Sequence, residues 1–99
     1  MKATLLFHEK RILQNETTGE LAIAELKVWR IPKSEHYPAG RKFSLFLVAG
    51  GKVLVGMDNH KPKGPHLHLG SEEVPYSYST DDQLLVDFWD LARKAGFRS

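Results

Sequence analysis

The sequence predicts an α+β domain in which an antiparallel meander sheet of four to five strands carries a C-terminal amphipathic helix on one face. Three observations predict this class. Strand-like apolar segments follow one another through the first part of the chain, turn sequences separate them, and a helical repeat of apolar residues occurs only near the C-terminus. With 99 residues and 41% hydrophobic content, the chain can bury one core, so a single domain over residues 1–99 is expected.

The first two strands are predicted over residues 3–13 and 21–31, which are rich in β-branched and large apolar side chains. The polar sequence between them is typical of a hairpin turn. Within the second segment the apolar alternation changes phase between Ile23 and Leu26. Because the side chains of a strand alternate between its two faces, we expect either a bulge near Ala24 or burial on both faces.

The third and fourth strands are predicted over residues 42–49 and 52–57, on either side of Gly50 and Gly51. Glycine adopts the positive φ angles of a tight turn without steric cost, so this pair should form a hairpin. The third strand is apolar on both faces, which indicates that both sides of the sheet are covered. Gly56, inside the fourth strand, indicates a bulge or the close approach of another backbone.

An amphipathic helix is predicted from Asp81 to Ala95. Ser79 or Thr80 can cap its N-terminus, and Gly96 permits the helix to stop. Its apolar residues recur at helical spacing: Leu84, Phe88, Leu91 and Ala95. One helix covers only one face of a sheet, so strong coiling of the sheet or a homodimer is needed to cover the other face.

The composition excludes several classes of protein. No cysteine is present, so neither a disulfide framework nor a thiolate zinc site can form. The first apolar run is too short for a signal peptide and is interrupted at His8, and no later stretch approaches the length of a membrane span. We therefore expect a cytoplasmic protein with no membrane partner.

Titratable residues are concentrated between Asp58 and Gly70. This stretch holds three of the five histidines and two lysines, and no acidic residue follows Asp58 within it, although the net charge of the chain is only +2. Pro62, Gly64 and Pro65 exclude a helix and disfavour a strand interior, so the chain must leave the sheet after the fourth strand. One end of the molecule should therefore attract anions.

After this loop the sequence alternates as His-Leu-His-Leu. Successive side chains of an extended chain point to opposite faces, so His66 and His68 should project together while Leu67 and Leu69 contact the core. The spacing predicts two neighbouring imidazoles on a strand that is anchored from behind.

Three chemistries use such a pair of imidazoles. In metal-free RNA cleavage, His66 and His68 would serve as acid and base, and Lys63 would hold the phosphate. His60 could replace either histidine in this reaction. A metal site could instead combine the two histidines with His60 or Asp58 as a third ligand. A loop that only binds phosphate groups requires no more than its positive charge.

Residues around the loop are candidates for supporting roles. Asp58 could orient a histidine or form an Asx turn with Asn59, and Glu73 could orient a histidine in the same way. Lys61, Asn59 and Tyr76 are candidates for contacts with a substrate, and Tyr76 could also belong to a short edge strand. The alternative to all these roles is ordinary solvated surface, which is a common use of loops of this composition.

Beyond this chemistry, the order of residues along almost the whole chain resembles the TumE-type proteins of bacterial and archaeal toxin and antitoxin modules. The resemblance is carried by five segments: KATLLFHEK, ELKVWRIP, DNH..KG.H.HLG, EEVPYSYST and LLVDFWD. Its most specific part is one set of positions: Asp58, Asn59, Lys63, Gly64, His66, His68, Gly70, Glu73, Pro75 and Tyr76.

The resemblance implies a toxin-like component that is encoded beside a cognate antitoxin protein and acts on a target inside its own cell. Many toxins of such modules are ribonucleases, so RNA is the implied substrate. Side-chain chemistry and resemblance together favour a metal-independent endoribonuclease that uses His66, His68 and Lys63 and needs no cofactor. The alternative is a noncatalytic protein that binds nucleic acid or a partner through the same basic loop.

Overall fold

A computed structural model describes residues 2–98, which form one antiparallel sheet and one helix. The elements follow in this order: β1 (Thr4–Asn15), β2 (Leu21–Arg30), β3 (Arg41–Ala49), β4 (Lys52–Asp58), β5 (His66–Leu69), β6 (Glu72–Pro75), α1 (Asp81–Lys94) and β7 (Phe97–Arg98). The strands are arranged as β6-β5-β4-β3-β2-β1-β7. The first six therefore form a meander, and the last returns after the helix to pair beside β1.

The α+β class, the antiparallel sheet and the C-terminal helix are confirmed, but the predicted number of strands is wrong. Within residues 2–98 the sheet has seven strands rather than four to five. The two strands beyond that number are short, with four residues in β6 and two in β7. Strands this short show little periodicity in the sequence. They are defined by their pairing with a neighbouring strand, as where Phe97 pairs with Asn15. Tyr76 follows β6 and is not part of an edge strand.

The bounds of β1 to β4 and of the helix lie within two residues of those predicted. Gly50 and Gly51 have φ angles of 57° and 74° and connect β3 to β4, which confirms the predicted hairpin. Thr80 is the N-cap of α1, since its hydroxyl oxygen accepts a hydrogen bond of 3.1 Å from the backbone N–H of Gln83. Local sequence signals were sufficient for these features.

The core lies between α1 and one face of the sheet. Burial in β2 alternates regularly, and its core residues are Ala22, Ala24, Leu26 and Val28. The predicted bulge near Ala24 is wrong, because β2 pairs without interruption there with both neighbours. Leu21 and Ile23 point to the opposite face and are 61% and 46% exposed. Small residues occupy the buried positions of this stretch, so side-chain size misled the prediction.

We call the sheet face opposite α1 the open face. The pairings of the central strands place on it Ile12, Ile23, Lys27, Phe46 and Val48. Within residues 2–98 no helix covers this side, and Ile12 is 65% exposed. Within this part of the chain the protein leaves that face uncovered, so its cover by a second copy of the chain stays a prediction.

Two tyrosines fasten the segment after β6 to the helix. The hydroxyl of Tyr76 donates a hydrogen bond of 2.6 Å to Asp87, and that of Tyr78 donates one of 2.6 Å to Asp81. Both rings also pack on Phe43 in the core, Tyr78 in a stacked arrangement at 5.7 Å between centroids. Burial, aided by the bond to Asp81, raises the pKa of Tyr78 from its ordinary value of 10 to about 12.

These phenols should make the fold sensitive to alkaline pH. The neutral form of Tyr78 is favoured in the folded state, so the unfolded chain binds fewer protons once the pH exceeds 10, the ordinary pKa. The free energy of unfolding should be unaffected by this group below pH 10 and should fall as the pH rises towards about 12. Urea unfolding at several alkaline pH values measures the loss, which should be smaller in Tyr78→Phe. An equal loss in both proteins would contradict the assignment.

Gly56 lies on the open face beneath the ring of Phe46, its pairing partner in β3. A Cβ atom on Gly56 would lie 2.6 Å from Cε1 of Phe46 and 3.3 Å from Cβ of His68. The sequence predicted a bulge here or the approach of a backbone; instead a side chain approaches, and the register shift of β4 lies nearer to its start. The missing side chain lets Phe46 stack on His68, with 6.5 Å between ring centroids.

Gly56→Ala should therefore destabilise the protein, because the ring of Phe46 must turn away. We expect a loss of about 1–3 kcal/mol in the free energy of unfolding, measured by urea denaturation. The same change made in a Phe46→Ala background should cost less, since the ring that clashes is gone. Equal costs in the two backgrounds would show that the contact is not the reason for glycine at this position.

Candidate functional site

The pairing of β4 with β5 and β6 assembles a polar cluster at one end of the open face. Asp58 pairs with His66, Gly56 pairs with His68, and His68 pairs in turn with Glu73. Residues that pair directly across antiparallel strands project from the same side of the sheet. The carboxylates and both imidazoles therefore leave the sheet on the open face, whereas Leu67 and Leu69 pack against the core.

Asn59 fastens the start of the loop between β4 and β5. Its side chain is buried, Oδ1 accepts a hydrogen bond of 3.0 Å from the backbone N–H of Phe43, and Nδ2 donates one of 2.8 Å to the carbonyl of Arg41. The amide thus continues the pairing with β3 beyond the last residue of β4. Asn59, a predicted substrate contact, has both ends of its amide engaged within the fold.

His66 is held from two sides. Its Nδ1 lies 2.7 Å from the carbonyl oxygen of Gly64, and its Nε2 lies 3.0 Å from Oδ1 of Asp58. A carbonyl only accepts, so the first contact requires a proton on Nδ1. Nε2 then faces a carboxylate oxygen, a contact that is attractive when a proton or a metal ion lies between the two atoms. Only 10% of the His66 side chain is exposed.

His68 is the more accessible of the two histidines. Its side chain is 32% exposed, and its Nε2 lies 3.7 Å from Oδ2 of Asp58. The two imidazole rings meet edge to face, with 4.8 Å between their centroids. Asp58 thus presents one carboxylate oxygen to each histidine, and the outer ring remains open to a ligand.

Lys63 and Glu73 form the rim of the cluster. Nζ of Lys63 donates to both carboxylate oxygens of Glu73, at 2.8 and 3.0 Å. Oε1 of Glu73 lies 3.8 Å from Nε2 of His66. The hydrogen bond from Lys63 lowers the pKa of Glu73 below its ordinary value, with partial desolvation acting in the opposite direction. Glu73 is therefore an anion at neutral pH.

Beside this rim a cavity of about 270 Å³ opens at the surface. It is lined by Lys63, Pro65, His66, Glu73, Val74 and Pro75. His66, although largely buried, therefore borders solvent-accessible space next to an ammonium group. Space of this kind can admit an anionic group such as a phosphate.

The three inner side chains also form a possible metal-binding set. One ligand atom from each of Asp58, His66 and His68 can be chosen such that all lie within 4.8 Å of one another. Two imidazole nitrogens and one carboxylate oxygen suit transition metals.

The other predicted residues lie outside this cluster. His60 is exposed, and its backbone N–H donates 3.3 Å to Oδ1 of Asp58, which closes an Asx turn. Lys61 is exposed and fastened through its backbone N–H to the hydroxyl of Tyr37. Tyr76 directs its hydroxyl to α1, away from the open face. Phe46, which contacts His68, was not predicted, although a glycine in the neighbouring strand was a signal that a large group lies close by.

Comparison with models of known protein families assigns the chain to a family. The family model described as Toxin TumE matches residues 2–95. The chain belongs to the TumE toxin family. Membership of TumE implies a toxin role and a cognate antitoxin partner. No curated protein and no solved structure matches the chain. Within residues 2–98, the helix is too short and too polar to cross a membrane.

The hydrogen bonds of the Asn59 side chain predict that this residue stabilises the fold. Asn59→Ala should leave the N–H of Phe43 and the carbonyl of Arg41 without a partner, which costs about 1–3 kcal/mol for an unsatisfied buried group. His60→Ala, at the neighbouring exposed position, is the matched control and should stay within about 0.5 kcal/mol of the wild type. Thermal and urea unfolding measure both effects. An unchanged stability of Asn59→Ala would contradict the structural role.

Proposed function

We propose that this TumE protein is a toxin that cleaves RNA without a metal ion, with His66 and His68 as the acid and base pair and Lys63 as the phosphate anchor. The observation that carries the proposal is the meeting of two imidazoles, 4.8 Å apart between ring centroids, on the uncovered face of the sheet beside an exposed ammonium group. Membership of a toxin family supports an action on a cellular target.

The reaction is a transfer of the phosphodiester to the neighbouring ribose oxygen. A basic imidazole removes the proton of the 2′-hydroxyl, the 2′-oxygen forms a bond to phosphorus, and the bond from phosphorus to the 5′-oxygen breaks. An acidic imidazole gives its proton to the departing 5′-oxygen, which leaves a 2′,3′-cyclic phosphate. The two rings exchange no net proton with solvent until they are reset for the next turnover.

Burial and contacts suggest how the work is divided. His68 is a third exposed and only loosely held by Asp58, so it can approach the ribose directly. His66 is fixed between Gly64 and Asp58 and borders the cavity that Lys63 lines. Asp58 is the positioning residue for both rings, because it offers a separate oxygen to each.

Lys63 can serve as the anchor although Glu73 holds it in the free protein. The lysine side chain is 62% exposed and that of Glu73 is 34% exposed, and ion pairs this exposed contribute little to stability. A phosphate carries the same kind of charge as the carboxylate and accepts from the same ammonium. The pair therefore keeps Lys63 in place until the substrate exchanges with Glu73.

Cleavage of labelled RNA in excess chelator tests the proposal. We expect the wild type to cut under these conditions, and His66→Ala and His68→Ala to lose about 10²–10⁴-fold in rate, the contribution typical of a general acid or base. His8→Ala is the matched control. His8 is an exposed histidine on the open face in β1, four strands away from β5, and its Nε2 contacts the carboxylate of Glu25. Its rate should equal that of the wild type.

Two results would contradict the proposal. Cleavage that vanishes with chelator and returns with Zn²⁺ or Mn²⁺ would contradict the metal-free mechanism, and full activity in both histidine variants would contradict the residue assignment. Salt-sensitive RNA binding without turnover, weakened more by Lys61→Ala and Lys63→Ala than by the histidine changes, would favour the noncatalytic binding protein.

A further inference from the structure

We infer that Asp58, His66 and His68 bind one divalent transition-metal ion of the Zn²⁺ class, and that this ion switches the proposed ribonuclease off. The inference rests on the proposed function for its second part, the inhibition, but the metal site stands on geometry alone. One ligand atom from each residue lies within 4.8 Å of the other two.

The spacing of the donor atoms fits a small ion. Ligand atoms around a tetrahedral Zn²⁺, with bonds of about 2.0–2.1 Å, lie roughly 3.3 Å apart. Nε2 of His66 lies 3.0 Å from one oxygen of Asp58, and Nε2 of His68 lies 3.7 Å from the other. The three ligand atoms taken one per residue spread over as much as 4.8 Å, so side-chain rotations that move a donor by up to roughly 1.5 Å would bring all three to the separation around a tetrahedral ion.

The carbonyl of Gly64 prepares His66 as a ligand. It lies 2.7 Å from Nδ1 and can only accept, so it selects the ring form that keeps its lone pair on Nε2 whenever the ring is neutral. Metal-binding histidines commonly have such an acceptor behind them, which fixes both the tautomer and the ring orientation. In the neutral ring the lone pair of Nε2 then faces an oxygen of Asp58, and a cation between the two relieves the repulsion.

The donor set also selects among metals. Two neutral nitrogens and one carboxylate oxygen suit Zn²⁺, Co²⁺ and Ni²⁺, whereas Mg²⁺ prefers oxygen ligands and retains its water. Three protein ligands leave a position for water or another donor, and the partly exposed His68 lies on the side from which an ion can enter. The site should therefore take up transition metals and leave Mg²⁺ in solution.

A metal ion here would inhibit the reaction rather than assist it. Acid and base catalysis requires Nε2 of each ring to gain and lose a proton, and coordination occupies both lone pairs. Asp58 would be committed to the ion as well. Lys63 is not one of the three ligands, and its ammonium group could still exchange Glu73 for a phosphate. The metal-bound protein should therefore still bind RNA.

The first experiment measures binding without any assay of activity. The full chain, stripped with chelator, is titrated with Co²⁺ and with Zn²⁺ while the visible bands of coordinated Co²⁺ and the heat of binding are recorded. We expect one ion per chain and no response to Mg²⁺. His68→Ala and Asp58→Asn should each weaken binding by more than about tenfold, the lower bound seen when mere outer-shell partners are removed. His8→Ala should bind as the wild type does.

The binding test uses His68→Ala rather than His66→Ala. His68 is the more exposed ring, so its removal should disturb folding less. Absence of saturable Co²⁺ binding would overturn the inference and leave the proposed function intact. Undiminished binding in both His68→Ala and Asp58→Asn would also overturn it, since the ion would then lie elsewhere.

The second experiment joins binding to activity. RNA cleavage by the chelator-treated protein should fall at least about tenfold with one equivalent of Zn²⁺ and recover when chelator is restored, in line with loss of an acid and a base. Faster cleavage with Zn²⁺ would overturn the inhibition and the metal-free mechanism together. Metal binding at the cluster in a protein that never cuts RNA would overturn the proposed function and support the metal site.

Discussion

The antiparallel pairing of β4 with β5 is the constraint on which the candidate site depends. It sets Asp58 opposite His66 and Gly56 opposite His68, so one carboxylate lies between two imidazoles on the open face. A slip of one residue would turn both rings into the core and bring Leu67 and Leu69 to the surface. Packing of these partly buried leucines against the core therefore holds the register that the polar side chains need.

The cluster is graded from buried to exposed side chains. The exposed fraction of the side chain rises from 10% in His66 to 32% in His68 and 62% in Lys63. Buried side chains are held by their surroundings, and exposed side chains can reach a ligand in solvent. This gradient supports the proposed division of the cluster, with positioning contacts at Asp58 and Gly64 and substrate contacts at the rim.

One feature of the cluster underlies both proposals. Nε2 of His66 faces a carboxylate oxygen, and this contact is attractive only with a cation between the two atoms. In the proposed reaction a proton there makes His66 an acid beside the cavity that Lys63 lines, whereas in the proposed inhibition a metal ion occupies the same position. Phe46 limits the cluster on its other side by stacking on His68, a contact that the bare backbone of Gly56 permits. Gly56 therefore affects both the packing of Phe46 and the position of His68 in the cluster.

The sequence by itself determined the class of fold, the hairpin at Gly50 and Gly51, the capped helix and the pair of histidines on one side of an extended segment. These follow from local rules of turn geometry, periodicity and alternation, which require no knowledge of neighbours. The bulge expected near Ala24 failed because alternation of size does not reveal which face a helix will cover. The short strands β6 and β7 were not predicted, because only their pairing with neighbouring strands defines them.

Only the tertiary structure decided which titratable groups meet. Asp58, His66, His68, Lys63 and Glu73 come together, whereas His60 stays in solvent and Asn59 is used within the fold. Neighbours in sequence are separated here and distant residues are joined, because strand register and loop path set the distances between side chains. Chemistry at a site depends on those distances, and they exist only once the sheet has formed.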